Sequence, residues 1–143
     1  MCDEYRPAIY KFDKDGKMIK RFIPKGMNGA DNSVYGDQML PEVYNKRWAN
    51  RGFEGICYDK QKNLIYAFIQ SPMYNPSVAT KHNSDVIRIL AIDGTTGTPT
   101  HEYVYLLTNN ADKASTSNRV DKIGDVFFTE NEKILVIERD SDK

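Results

Sequence analysis

The sequence predicts an all-β fold, and three observations carry the prediction. Apolar, β-branched and aromatic residues fall in short runs that come in pairs around turn sequences. One run, Val86 to Ile92, is apolar on both faces. The order of strand, polar loop and strand then recurs along the chain.

Taken in order, Ile9-Tyr10-Lys11-Phe12 and Met18 to Ile23 flank Asp13-Lys14-Asp15-Gly16. Asp-Gly supplies the positive φ of a tight turn, so this pair reads as a hairpin. Gly26 to Gln38 is rich in glycine and asparagine and reads as a surface loop. Pro41 to Arg47 is the one helix expected: proline suits a first turn, and Glu42 complements the helix N-terminus. Phe53 to Tyr58 and Leu64 to Gln70 form a second pair around Asp59-Lys60-Gln61-Lys62-Asn63. Ser71 to Ser84 is a second long loop. Asp85 to Asp93 and His101 to Leu107 are joined by Gly94 to Pro99, whose glycines and proline are poor strand residues. Asp125 to Phe128 and Lys133 to Glu138 close the series around Thr129-Glu130-Asn131-Glu132. Within Val86-Ile87-Arg88-Ile89-Leu90-Ala91-Ile92 only Arg88 is polar, the composition of a strand covered on both sides.

Phe53 to Gln70 and Ile123 to Glu138 share one pattern, each strand pair ending in a polar side chain, and Asp3 stands at a similar interval before Gln70. Four-stranded units at that pitch would be propeller blades with long loops, since simpler blades recur at about 40 to 50 residues. On that count 1–26 is half a blade, 27–50 a linker with the short helix, 51–108 a full blade and 120–143 another half. The pattern alone leaves open a free-standing antiparallel sandwich of eight strands.

Composition narrows the function classes. A chain of 143 residues suits one domain, and 20 Lys+Arg against 20 Asp+Glu leaves no field to draw nucleic acid. Hydrophobic residues at 40% exclude the disordered class. No apolar run approaches the ~20 residues of a membrane span. Cys2 and Cys57 lack metal or redox spacing and read as ordinary thiols. Asp13-x-Asp15-Gly16 lacks the later ligands of a calcium loop and reads as a turn. His82 and His101 have no partner motif and read as surface residues. The sequence has no nucleophile elbow, P-loop or dinucleotide fingerprint. The nine tyrosines read as strand-packing residues.

A set of strings in a fixed order resembles one known family. They are Asp3-Glu4-Tyr5-x-Pro7 with Ile9-Tyr10-x-Phe12-Asp13-x-x-Gly16-Lys17, Leu40-Pro41, Asn50 to Ile56, Gln70-Ser71-Pro72-x-Tyr74-Asn75, Arg88 to Gly97, Glu102-Tyr103-Val104-Tyr105, Lys122-Ile123-Gly124-Asp125 and Leu135 to Asp140. Their order and spacing are similar to the phytase-like β-propeller family, described as esterase-like activity of phytase. Where relatives often carry glycine, this chain has Arg6. The resemblance implies a partial β-propeller of about two four-stranded antiparallel blades, cut from a larger propeller whose remaining blades are its natural partners.

It also implies the chemistry of a metal-assisted phosphoesterase. Carboxylates converging from several blades suit Ca²⁺, which takes six to eight oxygens. Asp3, Glu4, Glu54, Asp125 and Glu138 are the candidate metal ligands, with Gln70 and Asp140 at comparable strand ends. Glu54, Glu138, Arg139 and Arg51 are the candidate catalytic set, the arginines holding a phosphorylated small molecule bidentately. Each also has a structural reading, since neighbouring carboxylates and arginines pair with one another. A non-catalytic binding propeller is the alternative function. The resemblance implies an exported protein, extracellular or periplasmic, whose leader would lie in an N-terminal part not included here. The chain by itself is expected to associate through unpaired strand edges and to lack phosphoesterase activity.

Overall fold

The computed structural model describes residues 1–27, 35–108, 120–129 and 131–139. Part of the loop 26–38, Glu130 of the fourth turn and Asp140 lie outside them. The described residues are all-β, in three sheets of which none is closed. The first sheet has the order β1 (Cys2–Asp3), β2 (Ala8–Phe12), β3 (Met18–Pro24), β4 (Asp37–Leu40). The second is the antiparallel meander β5 (Phe53–Asp59), β6 (Leu64–Ile69), β7 (Val86–Asp93), β8 (Pro99–Leu106). The third pairs β9 (Lys122–Phe128) with β10 (Ile134–Arg139).

All four hairpins expected from sequence are present, and aspartates shape three of their turns. Asp13 Oδ1 accepts from the N–H groups of Asp15 and Lys17, both at 2.9 Å, and Gly16 takes φ 79°. Asp59 Oδ1 accepts from Gln61 and Lys62, and Asp93 Oδ1 from Thr95 and Thr96. A short carboxylate at or just past the end of a strand competes for backbone donors and so ends the ladder.

Three local expectations are corrected. Pro41 to Arg47 is a 3₁₀ helix over Glu42–Lys46 with no side-chain cap, held down by Tyr44, which is fully buried and donates to Glu102 Oε1 at 2.7 Å. Residues 37–40, read as the end of a loop and the approach to the helix, form β4, and β4 runs parallel to β3. The long loop 71–84 contains one α turn at Thr80–Asn83. Strands as short as β1 and β4 carry too few alternations to show in sequence.

The second sheet lies between the other two, as the two-sided strand requires. Ile9, Phe22, Leu40 and Tyr44 pack against Phe53, Ala67, Ile69, Leu90 and Ile92 on one side. On the other side Cys57, Tyr66, Phe68, Ile87, Ile89 and Ala91 pack against Ile123 and Val126. Burying side chains of this size contributes about 1.5–3 kcal/mol each. This stacking of three sheets departs from an eight-stranded, two-sheet sandwich.

Candidate functional site

The ladders fix which residues of the three sheets correspond. β5 bulges at Glu54, between Phe53 opposite Ile69 and Gly55 opposite Phe68. β9 bulges in the same place, at Gly124, between Ile123 opposite Glu138 and Asp125 opposite Ile137. Gln70 therefore corresponds to Arg139, one residue beyond the pairing with Glu138 that the sequence suggests. β2 and β7 enter their Asp turns through matching bulges, with Phe12 opposite Met18 and Ile92 opposite Pro99, so Ile9 corresponds to Ile89. Cys2 lies opposite Ile9 and Phe68 opposite Ile89. Two residues beyond these stand Glu4 and Gln70. One structural position is thus filled by Glu4, Gln70 and Arg139 in successive sheets.

Backbone bonds tie the sheets together at this end. The Gly52 N–H donates to the Glu4 carbonyl, the Gln70 N–H to the Gly52 carbonyl at 2.8 Å, and the Ile123 N–H to the Gln70 carbonyl at 2.9 Å. A Cβ on Gly52 would stand 2.7 Å from the Asp3 carbonyl oxygen, so only glycine lets β5 start so close to the β1 turn.

Glu54, at its bulge, meets all three equivalent residues. Arg139 Nη2 stands 3.6 Å from Glu54 Oε1, and Glu4 and Gln70 lie beside the carboxyl group. Glu54 Oε2 is buried without a hydrogen-bond partner. Burial first, then the charge of Glu4, push this carboxyl above its ordinary range, against the pull of Gln70 and Arg139. The arrangement offers a desolvated carboxyl beside a half-exposed guanidinium, with a second carboxylate and an amide at the rim.

The remaining expected residues are engaged elsewhere. Asp3 Oδ1 accepts from the N–H groups of Tyr5 and Arg6, and Oδ2 from the Tyr10 hydroxyl at 2.7 Å, which closes the turn after β1. Glu138 points away from Arg139: its Oε1 accepts from the Tyr105 hydroxyl at 2.6 Å and the Thr108 N–H at 2.8 Å. Burial opposes its ionisation, but these bonds prevail and hold the carboxyl below its ordinary range. Asp125 is exposed on the outer face of the third sheet and accepts from the Val126 N–H. Arg51 donates to the Ser71 hydroxyl at 2.7 Å, stands 3.5 Å from Asp121 and lies over the Trp48 ring. Nothing local in the sequence marks Tyr105, Ser71 or Asp121 as partners: Tyr105 and Asp121 meet theirs through the stacking of sheets, and Ser71 meets Arg51 at the end of the β5–β6 pair. Among the described residues no group of three or more His, Cys, Asp or Glu converges.

A family model described as phytase-like, esterase-like activity of phytase, matches residues 1–143. The chain belongs to this phytase-like family. It is 28% identical over 163 residues to an uncharacterized secreted protein of Arthroderma benhamiae, an alignment that covers 99% of this chain and 31% of that protein. The phytase-like chain thus spans about a third of that relative's length. No solved structure matches it. No helix among the described residues is long and apolar enough to cross a membrane.

Proposed function

We propose that this phytase-like chain supplies one wall of a phosphate-ester site in an extracellular β-propeller hydrolase. The observation that carries the reading is the crowding of Glu4, Gln70 and Arg139, equivalent residues of three sheets, around the buried Glu54 carboxyl. Repeated sheets that turn the same position toward one point are what a propeller presents at its channel. Arg139 is the phosphate-holding group, and its half-exposed guanidinium can present two parallel donors to phosphate oxygens. Arg51, already committed to Ser71 and Asp121, is a weaker candidate for substrate contact.

The metal expected from the family is Ca²⁺. Glu4, Glu54 and Gln70 are oxygen donors of the right chemistry, and the orphaned Oε2 of Glu54 suits a cation. Three donors fall short of six to eight, so further ligands would come from the rest of the protein. Asp3 and Glu138, whose carboxylates already hold backbone and tyrosine donors, are the least suited of the five. Bound Ca²⁺ would neutralise phosphate charge and acidify a water.

A second reading, a propeller that binds a ligand without turnover, is favoured by the structural engagement of Asp3 and Glu138. The test is the full-length protein with a phosphomonoester, with and without Ca²⁺. The enzymatic reading expects calcium-dependent turnover that falls at least about 100-fold in Arg139→Ala. No turnover, together with no calcium binding by calorimetry, selects the binding module.

A further inference from the structure

The sheets have a second end, away from Glu54 by the length of β5. Its 7 residues, at about 3.3 Å of rise each, set the two ends roughly 20 Å apart. Here the β5–β6 turn faces the β9–β10 turn across a cleft of about 440 Å³. Tyr58, Asp59 and Gln61 line one wall; Phe128, Asn131 and Glu132 line the other. A neighbouring cavity of about 340 Å³ shares Asp59, Phe128 and Glu132 and extends to Tyr66 and Tyr103.

Three features make this a built site. An ion pair bridges the two turns, Lys62 Nζ to Glu132 Oε1 at 2.5 Å. In one wall Asp59 is 2% exposed and held by backbone bonds on Oδ1. Its apolar lining is aromatic, with Phe128 stacked on Tyr66 at an interplanar angle of 4° and Tyr103 beyond them in the adjoining cavity.

The geometry points to this cleft as a binding site for a neutral sugar or polyol, distinct from the Glu54 end. Charge selects against an ion: Asp59 and Glu132 are balanced by Lys60, which also lines the cleft, and Lys62. Chemistry selects for hydroxyls over a purely apolar ligand. Gln61 and Asn131 each carry an amide that both donates and accepts, Asp59 and Glu132 accept, and an aromatic face takes the C–H side of a pyranose ring. The cleft volume lies within the usual range for small-molecule sites. The inference does not rest on the phosphate-ester reading, which concerns the other end.

The test is a titration of the full chain with glucose, mannose, galactose, N-acetylglucosamine, their disaccharides and inorganic phosphate, followed by amide NMR shifts. At least one sugar is expected to bind saturably at about millimolar strength, with shifts centred on Asp59, Gln61, Phe128, Asn131 and Glu132. Phe128→Leu with Gln61→Ala should weaken it at least ten-fold, and Glu54→Gln should leave it unchanged. Asn131→Gly, which keeps the positive φ and removes the amide, gives a second variant should the first fail to fold. No saturable response to any sugar, a response that survives the variants, or phosphate shifts at the same residues would overturn the assignment.

Discussion

Ionising Glu54 costs free energy, because its Oε2 is buried without a donor and Glu4 stands beside it. A carboxyl raised in the folded state contributes stability below its unfolded pKa, near 4.3, and loses it as pH rises through the folded value. Glu54→Gln should therefore raise the melting temperature at pH 7 by about 3 °C, the effect of ~1 kcal/mol in a chain of this size. The gain should vanish near pH 3.5; a loss at pH 7 would mean that the Arg139 pairing outweighs the desolvation. Glu138 has the opposite sign. Its carboxyl is held below the ordinary range, so its contribution is present above the unfolded pKa and lost as pH falls through the folded value. Glu138→Gln should cost about 1 kcal/mol at pH 7, less than the ~1.5–3 kcal/mol of a hydrogen bond to a charged group because the pair is partly solvated. In urea melts that difference should close in acid. The same bond raises Tyr105, where burial and then Glu138 push the phenol up to about 12.

At the scale of elements, the second and third sheets are in tight contact at Gly55, where an added Cβ would stand 2.9 Å from Val126 Cγ2. Gly55→Ala should destabilise by about 1–3 kcal/mol through overpacking. Val126→Ala opens the space, so the double variant should recover part of that loss in a thermodynamic cycle; strictly additive costs would mean that the sheets move apart freely. The four hairpins were legible in sequence because their signals are local: turn residues such as Asp13 and Asp93 and the runs beside them. β1 and β4 were not, and neither was the 3₁₀ geometry of 42–46, since Tyr44 reaches its partner Glu102 only across the sheet stack. The repeat was legible to within one residue. A bulge shifts register without leaving a mark in the alternation, so only the ladders show that Gln70 answers to Arg139 and not to Glu138.

For the whole molecule, the outer face of the third sheet is the exposed surface with the largest consequence. Phe127, Leu135 and Ile137 lie side by side on β9 and β10, with more than half of each side chain open to water at 67%, 62% and 61%. Such a flat apolar face beside the edge of β10 drives association. The 143-residue chain is therefore expected to elute as an oligomer in size-exclusion chromatography with light scattering. Leu135→Lys with Ile137→Lys should shift it toward monomer. A wild-type monomer with a sharp melt would show that this face tolerates water.

The all-β class, the four hairpins, the two-sided burial of Val86 to Ile92 and the phytase-like family are legible in the chain before it folds, because turn chemistry and hydrophobic period act within a few residues and family strings are linear. Which charged side chains share a site emerges only from the stacked sheets. The tertiary structure placed Glu4, Gln70 and Arg139 around Glu54, turned Glu138 to Tyr105 and Asp3 to Tyr10, and left Asp125 exposed on the outer sheet face. The physical reason is that adjacent strand residues point to opposite faces, so one step of register separates a residue facing the site from one that braces the sheet.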